Sequence, residues 1–251
     1  MIISFTKWPN DESKAIFLFG KCAHTTLREE LRCNILNKDR IFYENKLFPI
    51  LESSPNLDNG YESSCCVITI PKPTPDQIKR LNEVIFSLDM KKIGFIRNPV
   101  ERVYSAWCQR VISGYGSIPE KRINNKTFFQ ILGLKKKHTF LEFMQRLNNL
   151  KIGTQEYELF FNNIHFKKYS EVHSKIFIDN FLPTEFLSEI GIGVNRKKHN
   201  LNRDKPVTNI LDSGDKNNIK AIKIAKETYK EDMKIYNKCL FLFEHNKIVW
   251  R

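Results

Sequence analysis

The chain has 251 residues, 41% of them hydrophobic and 27% charged, a balance that excludes wholesale disorder. With only 10 Gly and 10 Pro, it is no collagen-like or low-complexity chain either. Lys and Arg number 41 against 28 Asp and Glu, and the net charge of +13 points to a polyanionic partner: nucleic acid, an anionic membrane surface, an acidic glycan or a phosphorylated small molecule.

A chain of this length fits a single α/β domain spanning residues 1–251. Lys7, Asp11, Glu12 and Lys14 interrupt the N-terminal region, so no secretory signal is expected there. No apolar run approaches the roughly 20 residues that cross a bilayer. The expectation is a cytoplasmic, bacterial protein with no membrane span and at most peripheral membrane association. The cysteines are Cys22, Cys33, Cys65, Cys66, Cys108 and Cys239. They form no CxxC pair and no Cys/His set at zinc spacing, and are read as reduced packing thiols.

Residues 15–19 (AIFLF) predict a buried strand ended by Gly20. A helix follows, with Thr25 or Thr26 as cap, Glu29 at capping-box spacing from Thr26, and Leu27, Leu31 and Ile35 on one face. Residues 52–61 read as loop, 65–70 (CCVITI) as a second strand, 78–88 as a helix and 92–96 as a third strand. Pro99 suits the first turn of the next helix, whose apolar stripe is Val100, Val103, Tyr104, Trp107 and Val111. Arg102, Ser105 and Gln109 lie off that stripe. Residues 138–150 predict a helix, 175–179 a strand, and a further helix opens near Pro183. Residues 215–238 read as one long amphipathic helix with Ile219, Ile222, Ala225, Tyr229, Met233 and Tyr236 on its stripe. Strands alternating with helices imply a central parallel sheet flanked by helices.

Two strand-to-helix turns carry chemistry. At residues 20–26 (GKCAHTT), free backbone N–H groups and the helix dipole favour an anion above the helix start. Lys21 adds a full charge, and Thr25 and Thr26 add hydroxyl donors. This is not a Walker A loop, because Gly20-Lys21 opens the turn instead of closing it. At residues 96–107 (IRNPVERVYSAW), Arg97 at the strand end can fork two N–H groups to a phosphate, and Ser105 can donate its hydroxyl. Pairing of Arg97 with Glu101 and a surface role for Ser105 are the plainer alternative.

Together these segments resemble sulfotransferases that use 3′-phosphoadenosine-5′-phosphosulfate (PAPS), with the likeness nearest to the carbohydrate sulfotransferases. Residues 21–26 (KCAHTT) resemble the family's K-x-x-x-T-(S/T) turn, and residues 97–105 (RNPVERVYS) its R-(D/N)-P-x-x-R-x-x-S segment. Tyr229, Asp232 and Tyr236 resemble a late Y-x-x-D-x-x-x-(F/Y) helix, and Asn163 with His165 a central N-x-H segment. Cys22, His24 and Asn98 depart from the commoner residues without removing a phosphate ligand.

The resemblance implies a P-loop-nucleotide-hydrolase-like fold and sulfuryl transfer from PAPS, with the 3′,5′-bisphosphate PAP as product. It implies that Lys21 offsets charge on the leaving 5′-phosphate, while Cys22, Ala23, His24, Thr25 and Thr26 hold that phosphate. Arg97 and Ser105 then read the 3′-phosphate, and no metal is required. For the general base it offers Glu44, His165 and His24. Residues 196–205 (RKKHNLNRDK) stand where related enzymes cover the nucleotide, so Lys197, Lys198 and Arg203 become candidate ligands. The basic stretch 121–137 suits an acidic acceptor. The partner implied is a carbohydrate or glycolipid acceptor and not nucleic acid. The competing readings are a nucleotide-dependent kinase and a non-catalytic polyanion-binding module.

Overall fold

The apolar run after Ser13 forms the middle of a five-stranded sheet in the computed structural model of the protein, which describes residues 2–6, 13–20, 22, 27, 67–69, 74–108, 139–161, 165–187, 210–212 and 214–245. The first elements in chain order are β1 (Ile2–Thr6), β2 (Lys14–Leu18), β3 (Val67–Thr69), α1 (Pro75–Ser87), β4 (Lys91–Ile96) and α2 (Pro99–Trp107). There follow α3 (Phe140–Asn148), α4 (Gln155–Phe161), α5 (Tyr169–His173), β5 (Asn180–Pro183), α6 (Lys216–Thr228) and α7 (Lys230–Glu244). Single 3-10 turns lie at Thr184–Phe186 and Ile210–Asp212. The chain divides into two compact units: Met1–Arg97 with Tyr169–Arg196 and Ile235–Arg251, and Asn98–Lys168 with Lys197–Lys234.

In the first unit the strand order is β3-β1-β2-β4-β5. The expected α/β architecture is present: β2, β4 and β5 are parallel, and helices flank them. Beside these parallel strands the sheet has an antiparallel edge, because β1 runs antiparallel to both β2 and β3. The connection of residues 7–13 allows an antiparallel return, whereas a parallel crossover needs about a dozen residues or more. Alternation along β2 sends Ala15 and Phe17 into one core with Leu81 and Ile85 of α1, Tyr169 and Val172 of α5, and Tyr236 and Cys239 of α7. Ile16 and Leu18 enter the opposite core with Ile93, Phe95, Leu182 and Leu27. Burial on both faces is what makes AIFLF read as a continuous apolar run.

Gly94 has a specific steric reason. A Cβ there would lie 2.7 Å from the Phe181 ring of β5. The register places Gly94 opposite both Phe17 and Phe181, so the missing side chain leaves room for an aromatic neighbour.

The second unit is helical around an aromatic core. Trp107 of α2, Phe140 and Phe143 of α3, Phe160 and Phe161 of α4, Phe166 and Tyr229 pack together there with Ala221 and Ala225 of α6.

Several element boundaries differ from expectation for visible reasons. α1 starts three residues early because Thr74 and Gln77 form a capping box with Pro75 at the first helical position. α3 starts at Phe140, where Thr139 and Glu142 cap it in the same way. Residues 175–179 alternate like a strand, with Ile176 and Ile178 buried and Phe177 exposed, but the strand itself is Asn180–Pro183. The Ile178 N–H donates to His173 Nδ1 at 3.1 Å and so does not enter the ladder. Directly after Pro183 stands a 3-10 turn, Thr184–Phe186, and residues 188–209 lie outside the described residues. The long C-terminal helix is two helices that meet at Tyr229. The Thr228 hydroxyl donates to the Ile224 carbonyl at 2.9 Å, a back-bond that bends helices. Ile219, expected on the stripe, is exposed.

Candidate functional site

β2 ends at Leu18, and the Cys22 N–H donates to the Phe19 carbonyl at 3.2 Å to close a turn. Phe19, Gly20 and Cys22 are buried, and Leu27 is helical and buried. The strand and the turn therefore stand where the sequence puts the first anion-binding segment. Lys21, Ala23, His24, Thr25 and Thr26 lie outside the described residues, as do Glu44, Lys197, Lys198, Arg203 and the basic stretch 121–137. Cys22 and Cys239 are buried and Cys108 is half-buried. Cys33, Cys65 and Cys66 fall outside the described residues.

β4 delivers the second segment. Its last residue, Ile96, pairs with Pro183, and Arg97 leaves the strand half-buried. Tyr169 at the start of α5 reaches this point from its fully buried ring. Its hydroxyl donates to the Arg97 carbonyl at 3.0 Å and accepts from the Arg97 N–H at 3.1 Å. The same oxygen lies 3.0 Å from Cys22 Sγ, and the Tyr169 ring meets Phe19 edge-on with centroids 4.7 Å apart. The ends of β2 and β4 thus share one side chain, which nothing in the motif pattern singles out.

Asn98 follows Arg97 and caps α2, its Oδ1 accepting from the Val100 N–H at 3.0 Å, with Pro99 at the first helical position. Ser105 is half-buried on α2, as are Glu101 one turn before it and Cys108 after it. Arg102 is a correction: it does not lie away from the apolar stripe but is fully buried among the apolar residues of the second unit. Its guanidinium lies 3.7 Å from the Asp232 carboxylate, also fully buried, and 5.6 Å from the centroid of the Tyr229 ring. Tyr229 donates to the Phe166 carbonyl at 3.1 Å. The second arginine of RNPVER and the Tyr-x-x-Asp of the late helix are therefore one buried cluster. Their signal in the sequence was the recurrence of both motifs, without any indication that they meet. Tyr236, the last residue of the late motif, donates to Glu185 Oε1 at 2.9 Å in the first unit.

His165 is buried in a turn next to Phe166, in the second unit. Asn163 of the same segment lies outside the described residues. Elsewhere, burial and the nearby Lys238 and Lys92 push the His173 imidazole below its ordinary range. Burial also pushes the Cys239 thiol up to about 12. Among the described residues no group of His, Cys, Asp and Glu is arranged to hold a metal ion, and no helix is long and apolar enough to cross a membrane.

Three parallel strands that hand their C-terminal ends to turns and capped helices place the chain among the α/β proteins. The model of the Sulfotransferase family matches residues 35–238, and the chain belongs to that family. The match takes in Glu44, Arg97, Arg102, Ser105, His165, Tyr229 and Asp232, and begins after residues 20–26. Comparison with curated proteins and with solved structures found no match.

Proposed function

We propose that this sulfotransferase takes its sulfuryl group from PAPS and passes it to a hydroxyl of a carbohydrate or glycolipid, releasing PAP. The observation that supports this most is the segment 97–105: it leaves a parallel strand, opens an Asn-capped helix and lies within the family match. The donor set suits a bisphosphate nucleotide, since a half-buried Arg at a strand exit offers a fork of N–H donors at one end. The turn after β2 offers a lysine, two threonine hydroxyls and backbone N–H groups at the other.

The bound nucleotide supplies an activated sulfuryl group. Lys21 offsets the charge that gathers on the leaving 5′-phosphate, and Cys22 to Thr26 hold that phosphate through N–H and hydroxyl groups. Arg97 and Ser105 hold the 3′-phosphate, with Lys197, Lys198 and Arg203 over the nucleotide. Glu44, His165 or His24 takes the proton of the acceptor hydroxyl. The charges are met by Lys and Arg, so transfer proceeds without a metal.

Calorimetry with PAP and AMP tests the donor. PAP binds more tightly, and Arg97→Ala removes most of that preference, a loss of about tenfold to a hundredfold for a charge-assisted contact. Equal binding of PAP and AMP by the unaltered protein overturns the assignment. Transfer of labelled sulfate to a panel of glycans and glycolipids tests the acceptor. A protein that binds PAP yet labels none of them refutes that class. Replacing the true base with Ala abolishes turnover while PAP affinity persists.

A further inference from the structure

We propose that the Tyr169 hydroxyl is a positioning group that fixes the two phosphate-binding segments relative to each other; this rests on the donor reading above. A phenol has one proton and two lone pairs to offer. Here the proton goes to the Arg97 carbonyl, and the oxygen accepts from the Arg97 N–H and from the Cys22 thiol. These partners lie 72 and 147 residues from Tyr169 in the chain.

The location explains the need. The ladder between β4 and β5 ends with Ile96 opposite Pro183, which has no N–H to give. Tyr169 takes over at the next residue and holds both backbone polar groups of Arg97. That sets the direction in which the Arg97 side chain leaves the strand. At the other end, Phe19 rests against the Tyr169 ring and Cys22 against its oxygen, so Tyr169 holds both residues joined by the Cys22-to-Phe19 backbone bond. Phenylalanine would fill the same buried volume without joining the two segments. The hydroxyl therefore sets how far apart the 5′ and 3′ phosphates of the nucleotide are held.

Tyr169→Phe separates positioning from packing. We expect PAP affinity to fall about tenfold and the preference for PAP over AMP to shrink by threefold or more, as fits the loss of buried hydrogen bonds. Arg97→Ala should then weaken PAP binding less in Tyr169→Phe than in the unaltered protein, because the two act through one contact. A purely structural tyrosine would lower the melting temperature and leave the PAP-to-AMP ratio unchanged, which overturns the proposal. If the unaltered protein itself shows no preference for PAP, the donor reading fails instead. Should Tyr169→Phe not fold, Cys22→Ala removes the thiol contact to the Tyr169 oxygen. It should weaken PAP and AMP alike by about threefold, and unchanged affinities overturn the coupling to the turn.

Discussion

Replacing Asp232 with Asn leaves the Arg102 guanidinium buried without its carboxylate. Both side chains are 0% exposed and 3.7 Å apart, so solvent cannot screen the loss. Breaking a buried pair from one side costs about 3–5 kcal/mol, whereas an exposed pair would cost less than about 1 kcal/mol. Against a total stability of about 5–15 kcal/mol this is a large fraction, and it corresponds to a melting temperature lower by roughly 6–20 °C for a chain of this size. Urea unfolding at neutral pH, followed by both fluorescence and circular dichroism, measures it. Coincident transitions would license one free energy for a chain with two compact units. Replacing both partners together, Arg102→Met with Asp232→Leu, should recover most of the loss, because neither half of the pair is then left buried without the other. The reasoning fails if Asp232→Asn loses under about 1 kcal/mol, or if the double replacement loses as much as the single one.

Gly94→Ala places a Cβ 2.7 Å from the Phe181 ring and should destabilise by about 1–3 kcal/mol in the same urea assay; an unchanged midpoint would show that the ring yields freely. The Cys239 thiol, held up to about 12 by burial, should resist alkylation near pH 8 in the folded protein and react once unfolded, read by mass spectrometry. The same shift makes stability fall as pH rises from about 9 towards 12, because the unfolded thiol releases its proton first. His173 works in the opposite sense: its lowered pKa means the unfolded chain binds the proton first, so stability declines as pH drops below about 6.5. A histidine replacement that leaves this acid limb unchanged would assign it elsewhere.

Much of the local structure is legible because it follows from near neighbours. The burial of AIFLF, the capped start of α2 at Asn98-Pro99 and the stripe of Val100, Val103 and Trp107 all come from adjacent residues. The capping box at Thr74 and Gln77 was equally local, but the surrounding prolines read as a strand breaker and hid it. Residues 175–179 show the limit of periodicity. Their side chains alternate as a strand's do, yet the Ile178 N–H is already committed to His173. Arg102 shows it again, since by helical spacing it lies off the apolar stripe. A carboxylate from a helix 130 positions later, invisible to that spacing, helps make its burial tolerable.

The +13 charge and the order of the two candidate anion-binding segments are properties of the sequence alone, and with the R-N-P-x-x-R-x-x-S pattern they already indicate a sulfotransferase. Composition and motif spacing depend on residues close together in the chain, so no fold is needed to read them. Tertiary structure decided the antiparallel edge of the sheet, the Arg102–Asp232 pair and the meeting of Cys22 and Arg97 on the Tyr169 hydroxyl. Each of these joins residues distant in the chain, and a hydrogen bond or ion pair acts only over a few ångströms. The partners are therefore fixed only once the packing of strands and helices has brought them together.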